Sequence, residues 1–136
     1  MVDFHQSGNI ATLHDLRTRS RDEMTYELET FAQTRKMSLI LPCLYSELAT
    51  DAMPRILSEL SKVTYLHRII IGLDRANEDE FRHARQFFKG LNQNHIVIWN
   101  DSPRMLALGQ RLGAMGLAPS EQDKGKNVWS SMGYLI

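Results

Sequence analysis

Three short and mostly apolar segments constrain the fold of this chain more than any other feature. They cover residues 37–41, where Pro42 follows, residues 68–73, and residues 95–99. Their length and β-branched content predict strands, and strands that are apolar throughout are typical of a sheet covered on both faces. Because helical patterns alternate with them, the sequence predicts an α/β, Rossmann-like fold with a parallel sheet and helices on both faces.

The segments around these strands carry apolar residues at helical intervals. Ser20 with Glu23, and Asn77 with Glu80, have the spacing of a capping box. Four helices are predicted from these patterns. The first spans residues 21–35, the second begins near residue 50 or 51, the third follows Asn77, and the fourth runs from Ser102 to Gly116. Residues 117–126 are predicted to be a loop, and the apolar segment 128–136 begins as a helix would. We expect a lead-in over residues 1–19 and one domain over residues 20–136.

Size and charge limit the possible functions. The chain has 136 residues, which suit one compact domain, and its 16 basic and 16 acidic residues give a formal net charge of zero. This balance argues against nucleic acid or an anionic membrane as a partner. Cys43 is the single cysteine, so no internal disulfide is possible. With no secretory signal or membrane-spanning run in the sequence, we expect a cytoplasmic protein.

Acidic residues lie at or just beyond the end of each predicted strand. They are Glu47, Asp74 and Asp101. In open α/β sheets the ligand binds outside the carboxyl ends of the strands, where carboxylates can accept hydrogen bonds from ribose hydroxyls or a base edge. The alternative interpretation is that Asp74 and Asp101 are turn residues or helix caps.

A basic, glycine-containing segment precedes the last predicted helix. Lys124 and Lys126 flank Gly125, and together they can hold a diphosphate by charge and by backbone N–H groups. The segment lacks the glycine and Ser/Thr positions of a Walker A loop, and no strand leads into a G-x-G-x-x-G motif. A solvated surface loop is the alternative interpretation.

The ordered set of these motifs resembles the GT-A fold glycosyltransferases. Residues 41–47 (LPCLYSE) resemble their Leu-Pro-Ala-Leu-Asn-Glu-Glu motif, residues 69–74 (IIIGLD) their second strand with its terminal Asp, and residues 123–127 (DKGKN) their Gly-Lys-Gly loop. The spacing is most similar to that of bacterial glucosyl-3-phosphoglycerate synthases and related glucosylglycerate or mannosylglycerate synthases. The resemblance covers nearly the whole chain, including residues 4–14.

The resemblance implies roles for individual residues. It places Pro42, Leu44 and Glu47 in the nucleoside pocket and Asp74 against the base or ribose. It places Lys124, Gly125 and Lys126 against the diphosphate. Two positions depart from the family pattern, since residues 75–77 lack the usual run of Asp, Ser and Gly, and Asp123 stands where the first glycine of the loop is expected.

The resemblance also implies an activity. It is the transfer of a hexose from a nucleoside-diphosphate sugar to a small hydroxy acid such as glycerate or 3-phosphoglycerate, with Mg²⁺ or another divalent cation. The acidic metal motif of the family lies on a later strand, beyond Ile136. We therefore expect no metal ligand in this chain, assign no catalytic residue, and predict that the chain alone is an inactive, truncated nucleotide-binding half.

Two other interpretations stay open. The chain can be a non-catalytic module that binds nucleotides or pairs with another subunit, as a homodimer or with a separate C-terminal part. In that case the open end of the sheet after the third strand is the partner surface, exposing Trp129 and Leu135. A dehydrogenase-type Rossmann domain ranks last, because its glycine motif is absent.

Overall fold

The computed structural model describes residues 19–119 and 123–135, in which five α-helices alternate with three strands. The lead-in therefore lies outside the described residues, apart from Arg19. The elements in chain order are α1 (Arg21–Thr34), β1 (Met37–Leu44), a 3₁₀ helix (Tyr45–Ala49), α2 (Ala52–Leu60), β2 (Leu66–Asp74), α3 (Glu78–Phe88), β3 (His95–Trp99), α4 (Pro103–Ala114) and α5 (Lys124–Leu135).

The three strands form one parallel sheet in the order β1-β2-β3, with β2 in the centre. Leu44 at the end of β1 pairs with Asp74, and Trp99 at the end of β3 pairs with Leu73. The carboxyl ends of all three strands consequently meet at one edge of the sheet. The predicted α/β, Rossmann-like class is confirmed.

One face of the sheet carries a dry core. Ile69, Ile71 and Leu73 of β2 are fully buried there against Phe88 of α3 and Met53 of α2. Side chains alternate between the two faces of a strand, so Ile70, Gly72 and Asp74 belong to the opposite face. The core face is therefore held mainly by apolar packing.

The opposite face is covered by α5, which contacts both β1 and β2. A Cβ atom at Gly72 would lie 1.9 Å from Asn127 Oδ1 and 2.7 Å from Ser131 Oγ of that helix. Both residues of α5 are buried. The helix thus approaches the strand backbone so closely that only glycine fits, and it does so with polar side chains.

Local signals for the helix ends are confirmed. Ser20 and Asn77 each form a complete capping box, and the Ser102 hydroxyl accepts a hydrogen bond from the Met105 N–H. Gly116 has a φ of 69°, the left-handed conformation that ends α4. None of the helices in the described part of the chain combines the length and the apolar character needed to cross a bilayer.

Two expectations are corrected. The first strand does not stop at Pro42 but continues to Leu44, because β1 is an edge strand of the described sheet and a residue without an N–H is tolerated there. The segment from Lys124 to Lys126 is not a loop but the first turn of α5. Asp123 explains that early start, since its Oδ1 accepts a hydrogen bond from the Lys126 N–H at 2.9 Å.

Candidate functional site

A buried carboxylate at the end of the central strand is the centre of the candidate site. Asp74 is only 8% exposed. Asn100 Nδ2 donates a hydrogen bond to its Oδ1 at 2.7 Å, and Asn127 Nδ2 donates one to its Oδ2 at 2.8 Å. A buried carboxylate needs such donors, because removing its charge from water is otherwise costly. The three side chains bring β2, the end of β3 and α5 together at one point.

The two asparagines reach Asp74 because the backbone places them. Asn100 directly follows β3, and its N–H continues the sheet by donating to Leu73 O at 3.0 Å. Asn127 lies in the first turns of α5, and its N–H donates to Asp123 O at 3.2 Å. Sequence reasoning did not assign either residue to the site. Their positions after a strand and beside the Lys-Gly-Lys segment were the available signals.

The turn after Asp74 holds an unusual backbone conformation. Arg75 is exposed and has a φ of 55°, a left-handed conformation that residues other than glycine seldom adopt. The next residue is fixed from the third strand, since Ala76 N–H donates to Asp101 Oδ2 at 3.1 Å and Ala76 O accepts from Trp99 Nε1 at 2.7 Å. Asp101 and Trp99 therefore hold this turn, and strain of this kind persists only where neighbours fix it.

A cavity of about 650 Å³ opens between α4, α5 and the side of β3. Its polar end is lined by Asp74, Asn100, Asn127 and Lys126. Its other walls are mostly apolar and include Ile98, Met105, Leu106, Leu112 and Trp129. This size and this combination of apolar walls with a few converging polar groups are typical of small-molecule sites.

Two of the residues predicted for the site meet at this cavity, namely Asp74 and Lys126. The residues that line it do not include the other six predicted ones, which are Pro42, Leu44, Glu47, Asp101, Lys124 and Gly125. Pro42 and Leu44 alternate along β1 with the core residue Cys43, so they lie on the α5 face, at the other edge of the sheet from β3.

Glu47 belongs to the 3₁₀ helix that follows β1. Its Oε2 accepts a hydrogen bond from Leu44 N–H at 2.8 Å, which fixes the strand end. The neighbouring Cys43 is buried, and that burial, with the negative charge of Glu47, raises the pKa of its thiol to about 12. Cys43 is therefore a protonated core residue and not a nucleophile.

The first turn of α5 carries the predicted phosphate contacts. Lys124 and Gly125 supply the first backbone N–H groups of the helix, which have no partner within it. Lys126 follows, and its N–H is capped by Asp123. This helix end thus offers positive charge and N–H donors, but it also holds a carboxylate where the family pattern has glycine.

Side chains that commonly bind metal ions are dispersed over the described part of the chain. Among the described residues, no group of three or more His, Cys, Asp or Glu side chains lies close enough to hold a metal ion. Asp74 itself accepts a hydrogen bond from a side-chain amide on each of its two carboxylate oxygens.

Comparison with known proteins gives two close similarities. The chain is 45% identical over all of its 136 residues to a glucosyl-3-phosphoglycerate synthase of Persephonella marina, and covers 34% of that protein. It is 32% identical over 133 residues to a glucosyl-3-phosphoglycerate synthase of Methanococcoides burtonii, and covers 32% of it. The chain thus spans about a third of the length of these curated relatives.

No family model and no solved structure matches the chain. The two relatives nevertheless carry the name that the motifs at residues 41–47, 69–74 and 123–127 point to. Because the similarity extends along the whole chain, it does not depend on any one motif. The resemblance is therefore confirmed: over a third of their length, this chain is a homologue of the glucosyl-3-phosphoglycerate synthases.

Proposed function

We propose that the chain is the nucleotide-binding part of a glycosyltransferase that moves a hexosyl group from a nucleoside-diphosphate sugar to 3-phosphoglycerate or a related small hydroxy acid. The observation that carries the proposal is the 45% identity, along the whole chain, to a relative named as a glucosyl-3-phosphoglycerate synthase. In this proposal a divalent cation and the acceptor take no ligands from the described residues, and the protein works in the cytoplasm.

The chemistry of the strand ends supports the nucleotide part of the proposal. Asp74 accepts hydrogen bonds, and it lines a cavity of about 650 Å³, a volume within the range of small-molecule sites. Ribose hydroxyls and base N–H groups are the donors that such a carboxylate binds. Lys126 lines the same cavity, and the helix to which it belongs begins at Lys124, so a diphosphate is attracted by both charge and backbone N–H groups.

Calorimetric titration of the 136-residue chain with UDP-glucose, GDP-glucose and ADP-glucose tests this function. We expect one of them to bind, and Asp74→Ala to weaken that binding by about tenfold or more, as for a lost charge-assisted hydrogen bond. Asp51→Ala is the matched control, because Asp51 is exposed and makes no capping contact with its side chain. If the chain binds none of the three, the nucleotide assignment is wrong.

A non-catalytic interaction module is the second candidate, and one observation favours it. Apolar side chains on α4 and α5 are about half exposed, among them Leu106, Leu108 and Met132. Trp129 and Leu135, which were expected to be exposed at a partner surface beyond the third strand, belong to α5 and are 39% and 41% exposed. Sedimentation of the purified chain distinguishes the candidates: a stable dimer that binds no nucleotide supports the module.

A further inference from the structure

Asn127 joins α5 to the central strand by two side-chain hydrogen bonds. It is 2% exposed. Its Nδ2 uses both hydrogens, donating to Gly72 O at 2.7 Å and to Asp74 Oδ2 at 2.8 Å. One amide thus binds the main chain of β2 and the side chain of the residue that ends it.

The side-chain amide of Asn127 is closely packed between Gly72 of β2 and Ser131 of α5. A Cβ atom at Gly72 would meet Asn127 Oδ1 at 1.9 Å, so the strand backbone and the amide are in direct contact. Ser131, which is fully buried one turn later on α5, donates its hydroxyl to Asn127 Oδ1 at 3.4 Å. Because Oδ1 serves as the acceptor, Nδ2 must face the strand, and the orientation of the amide is fixed by its neighbours.

This arrangement decides how Asp74 meets a ligand. Asn100 binds one carboxylate oxygen from the side of β3, and Asn127 binds the other from α5, so the plane of the carboxylate is set by the two amides together. Asn127 also lies one residue after Lys126 and three after Lys124. The same contact therefore fixes the first turn of α5 beside the strand end.

We propose that Asn127 is a positioning residue of the nucleotide site: it orients the Asp74 carboxylate and holds the first turn of α5, with its two lysines, beside it. The inference rests on the proposed function. It adds that affinity depends on Asn127, a buried side chain at the polar end of the cavity to which the family resemblance gave no role.

Asn127→Asp is the sharpest test, because it keeps the shape and replaces the donor with a carboxylate 2.8 Å from Asp74 Oδ2. Two carboxylates this close repel each other when both are ionised and can share one proton in acid. The affinity of this variant for the nucleotide sugar should therefore depend on pH. Asn127→Leu, which places an apolar side chain at the same position, should bind the nucleotide sugar poorly at every pH. The other titratable or charged residues beside these two, in sequence or through the contacts described above, are Cys43, Arg75, Asp101, Asp123, Lys124 and Lys126.

The measurement is the dissociation constant of the preferred nucleoside-diphosphate glucose between pH 5 and pH 8, with the folded fraction followed by circular dichroism. We expect Asn127→Asp to bind about tenfold or more weakly at pH 8 and to recover most of that loss at pH 5. Wild type should change little, since the ligand's charge is constant over this range. Asn92→Asp, the same change at an exposed residue near the amino-terminal edge of the sheet, should behave as wild type.

The outcomes separate this inference from the function on which it rests. If wild type binds no nucleotide sugar, the proposed function is wrong and the inference falls with it. If wild type binds and folded Asn127→Asp binds equally well at pH 8, the positioning role alone is wrong. Should Asn127→Asp not fold, Ser131→Ala removes only the hydroxyl that orients the amide; a loss of affinity of about threefold supports the role, and unchanged affinity overturns it.

Discussion

The two faces of the sheet are built on different principles. On the core face, Ile71 and Leu73 pack against Phe88 without any polar contact. On the opposite face, the neighbouring residues of the same strand, Gly72 and Asp74, meet the polar side chain of Asn127. One strand therefore supplies stability on one side and a fixed carboxylate on the other, which predicts that substitutions on the two faces have different consequences.

The largest effect is expected on the core face. Phe88 is fully buried, so Phe88→Ala should lower the free energy of unfolding by about 3–5 kcal/mol through lost burial and the cavity it leaves. Urea unfolding measures this change. Phe31→Ala is the control, because Phe31 is half exposed on α1 and its loss should change stability little. A loss below 1 kcal/mol at Phe88 would contradict a core on this face.

A smaller loss of stability is expected where the strand meets α5. Gly72→Ala forces a methyl group against the Asn127 amide, so it should cost about 1–3 kcal/mol and weaken nucleotide binding as well. Gly133→Ala is the matched change within α5, where a Cβ meets nothing within 4 Å. That control should stabilise the helix slightly. If both substitutions behave alike, the close contact between helix and strand does not exist.

The core face also predicts a dependence on alkaline pH. Burial raises the pKa of Cys43 to about 12, above that of an unfolded thiol near 9. The protonated Cys43 thiol contributes fully to the stability of the folded chain below pH 9. This contribution is lost as the pH rises towards 12, because over that range the thiol ionises in the unfolded chain and stays protonated in the folded one. Wild type should thus lose more stability than Cys43→Ala over this window. If the free energy of unfolding falls equally with pH in the two proteins, the pKa of Cys43 is not raised.

The smallest effect concerns the charge at the start of α5. Asp123→Asn keeps an acceptor for the Lys126 N–H and removes a negative charge from the expected phosphate site. Affinity for the nucleotide sugar should rise about two- to fivefold, with stability almost unchanged. Asp79→Asn on α3, which is exposed and remote from α5, is the control for a general effect of charge. A weaker affinity in Asp123→Asn would contradict phosphate binding at this helix end.

The fold could largely be predicted from local pattern. His95–Trp99 is a strand as expected, and the capping residues Ser20, Asn77 and Ser102 begin the helices they were predicted to begin. These signals are local, since a cap or an apolar run acts on its own turn or strand. Pro42 misled the prediction because its effect depends on whether the strand lies at an edge, which only the sheet order reveals.

The site could be predicted only in part. Asp74 was found because the end of a central strand is a recognisable position. The importance of Asn100 and Asn127 could not be read from the sequence, because they act through contacts with Asp74, which lies 26 positions from Asn100 and 53 positions from Asn127. Asp101 had two interpretations, a ligand contact and a turn residue, and its carboxylate accepts a hydrogen bond from the Ala76 N–H in the turn after Asp74.

We propose that nucleotide sugar binds where Asp74, Asn100 and Asn127 meet, on the polar face of the sheet. Titrating ¹⁵N-labelled chain with the nucleotide sugar tests it most directly, because the side-chain amides of both asparagines donate to Asp74 and report on that carboxylate. We predict that these two amide signals shift with saturation, together with the backbone of Lys124 and Gly125. The amide of Asn94, which donates to His67 O, should not shift. Signal shifts confined to the amino-terminal ends of the strands, or no shifts at all, would contradict binding at Asp74.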